Sequence, residues 1–131
     1  MRRLVLLTAL LAMLPDVVMS GIAPTGIGSF AKLIPGTDKQ VAITSALLTD
    51  TVFYRISLIA GDGEHLLRVN VYDGSGREVF NAESSVIVKD RHAGRSLSYG
   101  FSATRDAPGT WWYVAALDGK VVISNSLEVR K

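Results

Sequence analysis

What most constrains this chain is its alternation. Val52, Tyr54, Ile56 and Leu58 alternate with Thr51, Arg55 and Ser57, although Phe53 and Ile59 blur the polar side. Leu67, Val69 and Val71 alternate with Arg68, Asn70 and Tyr72, and Leu97, Tyr99, Phe101 and Ala103 with Ser96, Ser98, Gly100 and Ser102. A two-residue period sends one set of side chains into a core and the other into water, so each run predicts a half-buried strand. Val41 to Leu47 predicts another, Val79-Phe80 begins a shorter one, and Val86-Ile87-Val88 a further one. Turn chemistry separates them at Gly61-Asp62-Gly63, Asp73-Gly74-Ser75-Gly76 and Asp106-Ala107-Pro108-Gly109, and Lys89 to Arg95 reads as a charged loop. After residue 20 no window carries a helical stripe. About six to eight strands with turns every ~8–12 residues predict an antiparallel sandwich or barrel.

The last stretch, Asp106 to Lys131, reads as the closing hairpin. Thr110 to Leu117 is apolar on both faces, with Trp111, Tyr113, Ala115 and Leu117 on one and Trp112, Val114 and Ala116 on the other. Its partner turns Val121, Ile123, Leu127 and Val129 to the core. The turn between them decides which tryptophan is buried, because a one-residue change of register flips every side chain. A two-residue Asp118-Gly119 turn pairs Leu117 with Lys120 and turns Trp112 and Val114 inward. A three-residue loop with Gly119 in a bulge pairs Ala116 with Lys120 and turns Trp111, Tyr113 and Ala115 inward instead.

The run Asp106-Ala107-Pro108-Gly109-Thr110-Trp111 resembles the turn and aromatic entry to the penultimate strand of bacterial secreted immunoglobulin-like and fibronectin-III-like modules. Asp118-Gly119-Lys120 and Leu127-Glu128-Val129 resemble their last hairpin and closing strand. The resemblance is close over the last 26 residues and one of pattern over about 41–131. It implies an immunoglobulin-like sandwich of about seven strands in which the first aromatic packs inward, and so favours the bulged loop. The chain departs from antibody-type domains in having no cysteine. Fold does not imply function.

The N-terminus has its own character. Met1-Arg2-Arg3 precedes a run, Leu4 to Leu14, that is apolar except at Thr8, and Val18-Met19-Ser20 offers tolerated residues before a cut at Gly21. This is the tripartite form of a signal peptide, 1–20, and the run is shorter than the ~20 residues of a membrane span. Membrane attachment is therefore expected only through an uncleaved signal segment. Residues 21–36, rich in glycine and proline, read as a linker or an irregular edge strand. The sandwich is expected over 37–131, as one domain.

Composition narrows the chemistry. The 131 residues carry a formal charge of +2; without residues 1–20, which hold Arg2, Arg3 and Asp16, 12 basic face 11 acidic side chains. So balanced a surface gives no electrostatic case for nucleic acid. The lack of cysteine removes disulfides, thiolate metal sites and thiol nucleophiles. His65 and His92 lie in no ligand spacing, and the Asp-Gly turns lack the dense acidic pattern of a calcium loop, so no metal and no cofactor are expected. No serine has a nucleophile-elbow context, so no catalytic residue is assigned and no enzyme is expected. Lys89, Arg91, Arg95 and Arg105 are offset by Asp90 and Asp106 and read as a solvated edge.

The expectation is a periplasmic or extracellular sandwich acting as a protein-interaction or structural module of the bacterial envelope, with an unknown protein partner. Its surface would be Trp112, Val114 and Val122, joined by Tyr72, unless residues 21–36 cover that strip. The alternative is a carbohydrate-binding module in which Trp112 and Tyr72 stack on sugar faces.

Overall fold

A computed structural model describes residues 22–100 and 106–131. The proposed signal segment, and Phe101 and Ala103 of the run beginning at Leu97, lie outside the described residues. Nine strands are described: β1 (Thr25–Leu33), β2 (Gln40–Ile43), β3 (Ser45–Leu47), β4 (Thr51–Ile59), β5 (Gly63–Tyr72), β6 (Glu78–Val88), β7 (His92–Gly100), β8 (Gly109–Leu117) and β9 (Lys120–Arg130). They form a four-stranded sheet, β2-β1-β4-β7, and a five-stranded sheet, β3-β9-β8-β5-β6. Every pairing is antiparallel except β3 with β9.

The alternation places the core where the sequence puts it. Val52, Tyr54, Ile56 and Leu58 of β4 are buried in one sheet, and in the other Leu67, Val69 and Val71 of β5 lie buried beside Trp111, Tyr113, Ala115 and Leu117 of β8. Phe30, Tyr54 and Tyr113 meet as an aromatic cluster with ring centroids 4.9–5.1 Å apart, stacked in one pair and edge-on in another.

One open reading is decided and three expectations are corrected. Of linker and irregular edge strand, residues 21–36 hold a strand, β1, regular in its pairing with β4 and, over Phe30–Leu33, with β2. Its glycines serve close approach: a Cβ on Gly28 would lie 2.1 Å from Asn125 Oδ1, and one on Gly26 2.6 Å from Ile123. The stretch Val41–Leu47 is two strands, because the chain crosses at Thr44 from one sheet to the other. Val79 to Val88 is one long strand, β6, whose polar middle rides on an edge beside β5 alone. The charged loop contracts to a tight turn, Lys89 paired with His92, with positive φ at Asp90 (53°) and Arg91 (71°), and β7 starts at His92.

The closing hairpin takes a solution that neither turn alone supplies. Leu117 pairs with Lys120 across a two-residue Asp118-Gly119 turn, both residues at positive φ. The register then slips: Ala116 faces Val121 but Ala115 faces Ile123, so Val122 is an extra residue in β9. The three-residue loop is thus wrong, while the side it was chosen to bury is right. Trp111 is fully buried, its Nε1–H donating to the Ala107 carbonyl at 2.8 Å, and Trp112 is 47 % exposed.

Candidate binding face

The outer face of the five-stranded sheet carries most of the residues singled out from sequence. Strand register sets them in rows. Trp112 stands between Tyr72 of β5 and Ser126 of β9; Val114 between Asn70 and Ser124; Ala116 between Arg68 and Val121. On the far side of β5, Tyr72 faces Glu78, Asn70 faces Asn81, and Arg68 faces Glu83. The result is an apolar file down β8, half open at Trp112, with an aromatic neighbour at its head and polar side chains on both flanks.

Three of the four proposed surface residues share this face. Tyr72 and Val114 are partly buried in it, and Trp112 projects from it. Val122 does not belong: the bulge turns it against the core, and Val121, 64 % exposed, takes its place beside Ala116. The slip was invisible in the sequence, since Val121 and Val122 are chemically alike and nothing local marks which is the extra residue. The segment offered as cover for the strip packs as β1 in the opposite sheet. The rim is organised by its own hydrogen bonds: Asn70 Nδ2 donates to Glu78 Oε1 at 2.5 Å, Thr110 Oγ1 to Glu128 Oε1 at 2.6 Å, and Arg68 pairs with Glu83.

His65 and Asp118 form a polar constellation at the tip of the closing hairpin. His65 Nδ1 lies 2.5 Å from Asp118 Oδ2 and Nε2 lies 2.5 Å from the Gly61 carbonyl. The bond from Asp118, then that from Gly61, raises the His65 pKa, and Asp118 is lowered by the Leu66 N–H and by His65. Ser85 is near, but its hydroxyl donates to Glu64 Oε1 at 2.5 Å. With both ring nitrogens engaged and the serine turned to a carboxylate, these groups are not assembled as nucleophile and base. His92 lies apart, on a groove of about 420 Å³ along the outer face of the four-stranded sheet with Ile27, Ser57, Ile59 and Gly94. Among the described residues, no three histidine or acidic side chains gather as a metal site.

No protein-family model matches the chain, and no curated protein matches it. Solved structures do share its fold. A β-glucosidase from Listeria innocua, in complex with isofagomine, superposes with a TM-score of 0.56 at 11% identity over 83% of this chain. The match spans only 16% of the glucosidase. An alkylpurine DNA glycosylase from Pseudomonas fluorescens, bound to DNA with an abasic site analog, matches with a TM-score of 0.50 at 13% identity, over 88% of this chain and 33% of the glycosylase. An immunoglobulin-like protein from Pseudomonas aeruginosa matches with a TM-score of 0.48 at 12% identity, over 83% of this chain and 98% of its own.

Proposed function

We infer that this all-β sandwich of two packed sheets is an immunoglobulin-like, non-catalytic binding module of the bacterial envelope. It is secreted to the periplasm or beyond and contacts a protein partner through the outer face of its five-stranded sheet. One observation carries this reading: Trp112 stands 47 % exposed at the head of an apolar file in the middle of a sheet, with Tyr72 at its side. Leaving a tryptophan half in water forgoes burial worth roughly 1 kcal/mol or more, and aromatic side chains in such positions anchor protein interfaces. The positive, apolar and small-residue order of residues 1–20 supports export. A matching sandwich also occupies a small part of a β-glucosidase, so the fold by itself assigns no activity.

A second reading rests on the rows beside the aromatics. Tyr72 and Trp112 are cross-strand neighbours, flanked by Asn70, Glu78, Ser124 and Ser126. An aromatic platform rimmed by amide, carboxylate and hydroxyl groups suits a sugar ring, whose faces are apolar and whose edge is polar. One paired experiment separates the two: photo-cross-linking from position 112 in the producing cell, and a glycan array probed with the purified chain. A discrete protein adduct with a silent array supports the protein partner. Glycan binding abolished by both Trp112→Ala and Tyr72→Ala moves the function to sugars, and silence in both overturns this face as the binding surface.

A further inference from the structure

The N-terminal half of β1 is an open edge. β2 pairs with Phe30–Leu33 only, and then the chain leaves at Thr44 for the other sheet. Thr25–Ser29 therefore pair with β4 on one side and, among the described residues, with nothing on the other. Pro24, which has no N–H to give, bounds the slot at one end, and the Ile43-Thr44 corner bounds it at the other. Exposed strand edges are ordinarily blunted by charge. The far edge of the same sheet, β7, carries exposed Arg95, and the β6 edge carries exposed Glu78 and Glu83. Thr25–Ser29 carries no charge, and its central side chain, Ile27, is 75 % exposed.

The sequence of this slot is Thr-Gly-Ile-Gly-Ser, which reads nearly the same in both directions about Ile27. An antiparallel pairing of two such strands about a two-fold axis at Ile27 sets Ile27 against Ile27, each Gly26 against Gly28, and each Thr25 against Ser29. Cross-strand pairs of that kind stabilise sheets: an apolar pair in the middle, hydroxyl pairs outside it. The glycines suit the approach as well. Their missing side chains lie on the core-facing side, where each copy's own Ile123 and Asn125 already fill the space. An isologous contact of this form closes on itself and leaves no sticky edge behind.

We propose that Thr25–Ser29 is a self-association edge, through which two copies of this chain join their four-stranded sheets into one continuous eight-stranded sheet, twice the four strands of one copy. Five residues a side bury well under the ~800 Å² per partner of a standard interface, so the dimer is weak and depends on concentration. It leaves the Trp112 face free, because that face belongs to the other sheet. Its fate is thus separate from that of the proposed partner surface.

Sedimentation equilibrium of the purified chain over a wide concentration series and oxidative cross-linking test this, with four variants whose folding is checked by circular dichroism. Wild type is expected to pass from monomer to dimer. Ile27→Lys places like charges on the axis and is expected to weaken the dimer roughly tenfold or more, while Trp112→Ala leaves it unchanged. Because the chain has no cysteine, Ile27→Cys gives a single thiol that a mild oxidant such as copper-phenanthroline should join across the axis, taking one electron from each sulfur. Ile87→Cys, equally exposed but on the other sheet, should stay monomeric under the same oxidant. A chain that remains monomeric towards millimolar concentration, a dimer indifferent to Ile27→Lys, or equal cross-linking at position 87 overturns the proposal.

Discussion

His65 Nδ1 and Asp118 Oδ2 stand 2.5 Å apart, and that contact fastens the tip of the closing hairpin to the start of β5. Asp118 completes the clasp by accepting the Leu66 N–H on Oδ1 at 2.9 Å and donating its own N–H to the Leu66 carbonyl at 2.9 Å. The other ring nitrogen of His65 meets the Gly61 carbonyl. A carboxylate and a carbonyl both accept, so satisfying both requires an N–H on each nitrogen, which only the imidazolium has.

The clasp therefore titrates. His65 is more basic in the fold than in the unfolded chain, held so by its bonds to Asp118 and Gly61. Its contribution is complete below the ordinary histidine pKa of about 6.5 and fades as pH rises through the higher folded value. Thermal melts from pH 6 to about 9 should show wild type losing stability where His65→Gln does not. Parallel curves for the two proteins would show that His65 does not hold the hairpin.

A second carboxylate should act in the opposite direction. Asp73, 2 % exposed, accepts the Ser75 N–H at 2.9 Å, the Ser75 hydroxyl at 2.6 Å, the Arg77 N–H at 3.2 Å and the Ala107 N–H at 3.0 Å. Burial alone would raise its pKa, but the bonds from Ser75, Ala107 and Arg77 outweigh it and hold the group at about 2. It locks the β5–β6 turn to the entry of β8. Asp73→Asn leaves the same donors facing an amide that offers one acceptor oxygen, and should cost about 2–3 kcal/mol by urea unfolding at neutral pH. Wild type should lose this advantage as pH falls from about 4 towards 2, so the two unfolding midpoints converge in acid.

These two carboxylates show what the sequence could and could not reveal. Asp73 and Asp118 were legible as turn residues because Asp-Gly favours tight turns wherever it stands. Their long-range partners, Ala107 and His65, were not, since those depend on which strands lie side by side. Alternation is local, so the buried faces of β4, β5 and β8 were legible too. The change of sheet at Thr44 and the extra Val122 were not: the polar Thr44-Ser45 step interrupts the run but does not say that the chain crosses to the other sheet, and Val121 and Val122 are alike. The candidate face inherits this limit: Trp112 and Val114 follow from parity, whereas Tyr72 beside Trp112 and Val121 in place of Val122 follow only from register.

Close approach at β1 gives a steric prediction. Tyr54 donates its hydroxyl to Asn125 Oδ1 at 2.6 Å, and Gly28 lies over this bond so closely that a Cβ would meet both oxygens within 2.6 Å. Gly28→Ala should destabilise by roughly 2–3 kcal/mol through overpacking and loss of that bond. Tyr54→Phe, which deletes only the donor, should cost about 1 kcal/mol. Combining the two should cost less than their sum, because both remove the same bond. Strict additivity in denaturant melts would show that the glycine acts elsewhere.

The two tryptophans give the most direct check on the hairpin register. Trp111 is fully buried, whereas Trp112 is 47 % exposed on the opposite side of the same strand. Iodide should therefore quench only part of the fluorescence, and Trp112→Phe should abolish the quenchable part while changing stability by no more than about 0.5 kcal/mol. Trp111→Phe should leave quenching intact and cost roughly 2–3 kcal/mol, through a cavity in the core and loss of the indole N–H bond to the Ala107 carbonyl, which keeps only the Gly74 N–H. A reversed pattern would require the two-residue turn to continue into β9 without the extra Val122. Trp111, Tyr113 and Ala115 would then face outward, and the candidate face would have to be rebuilt on them.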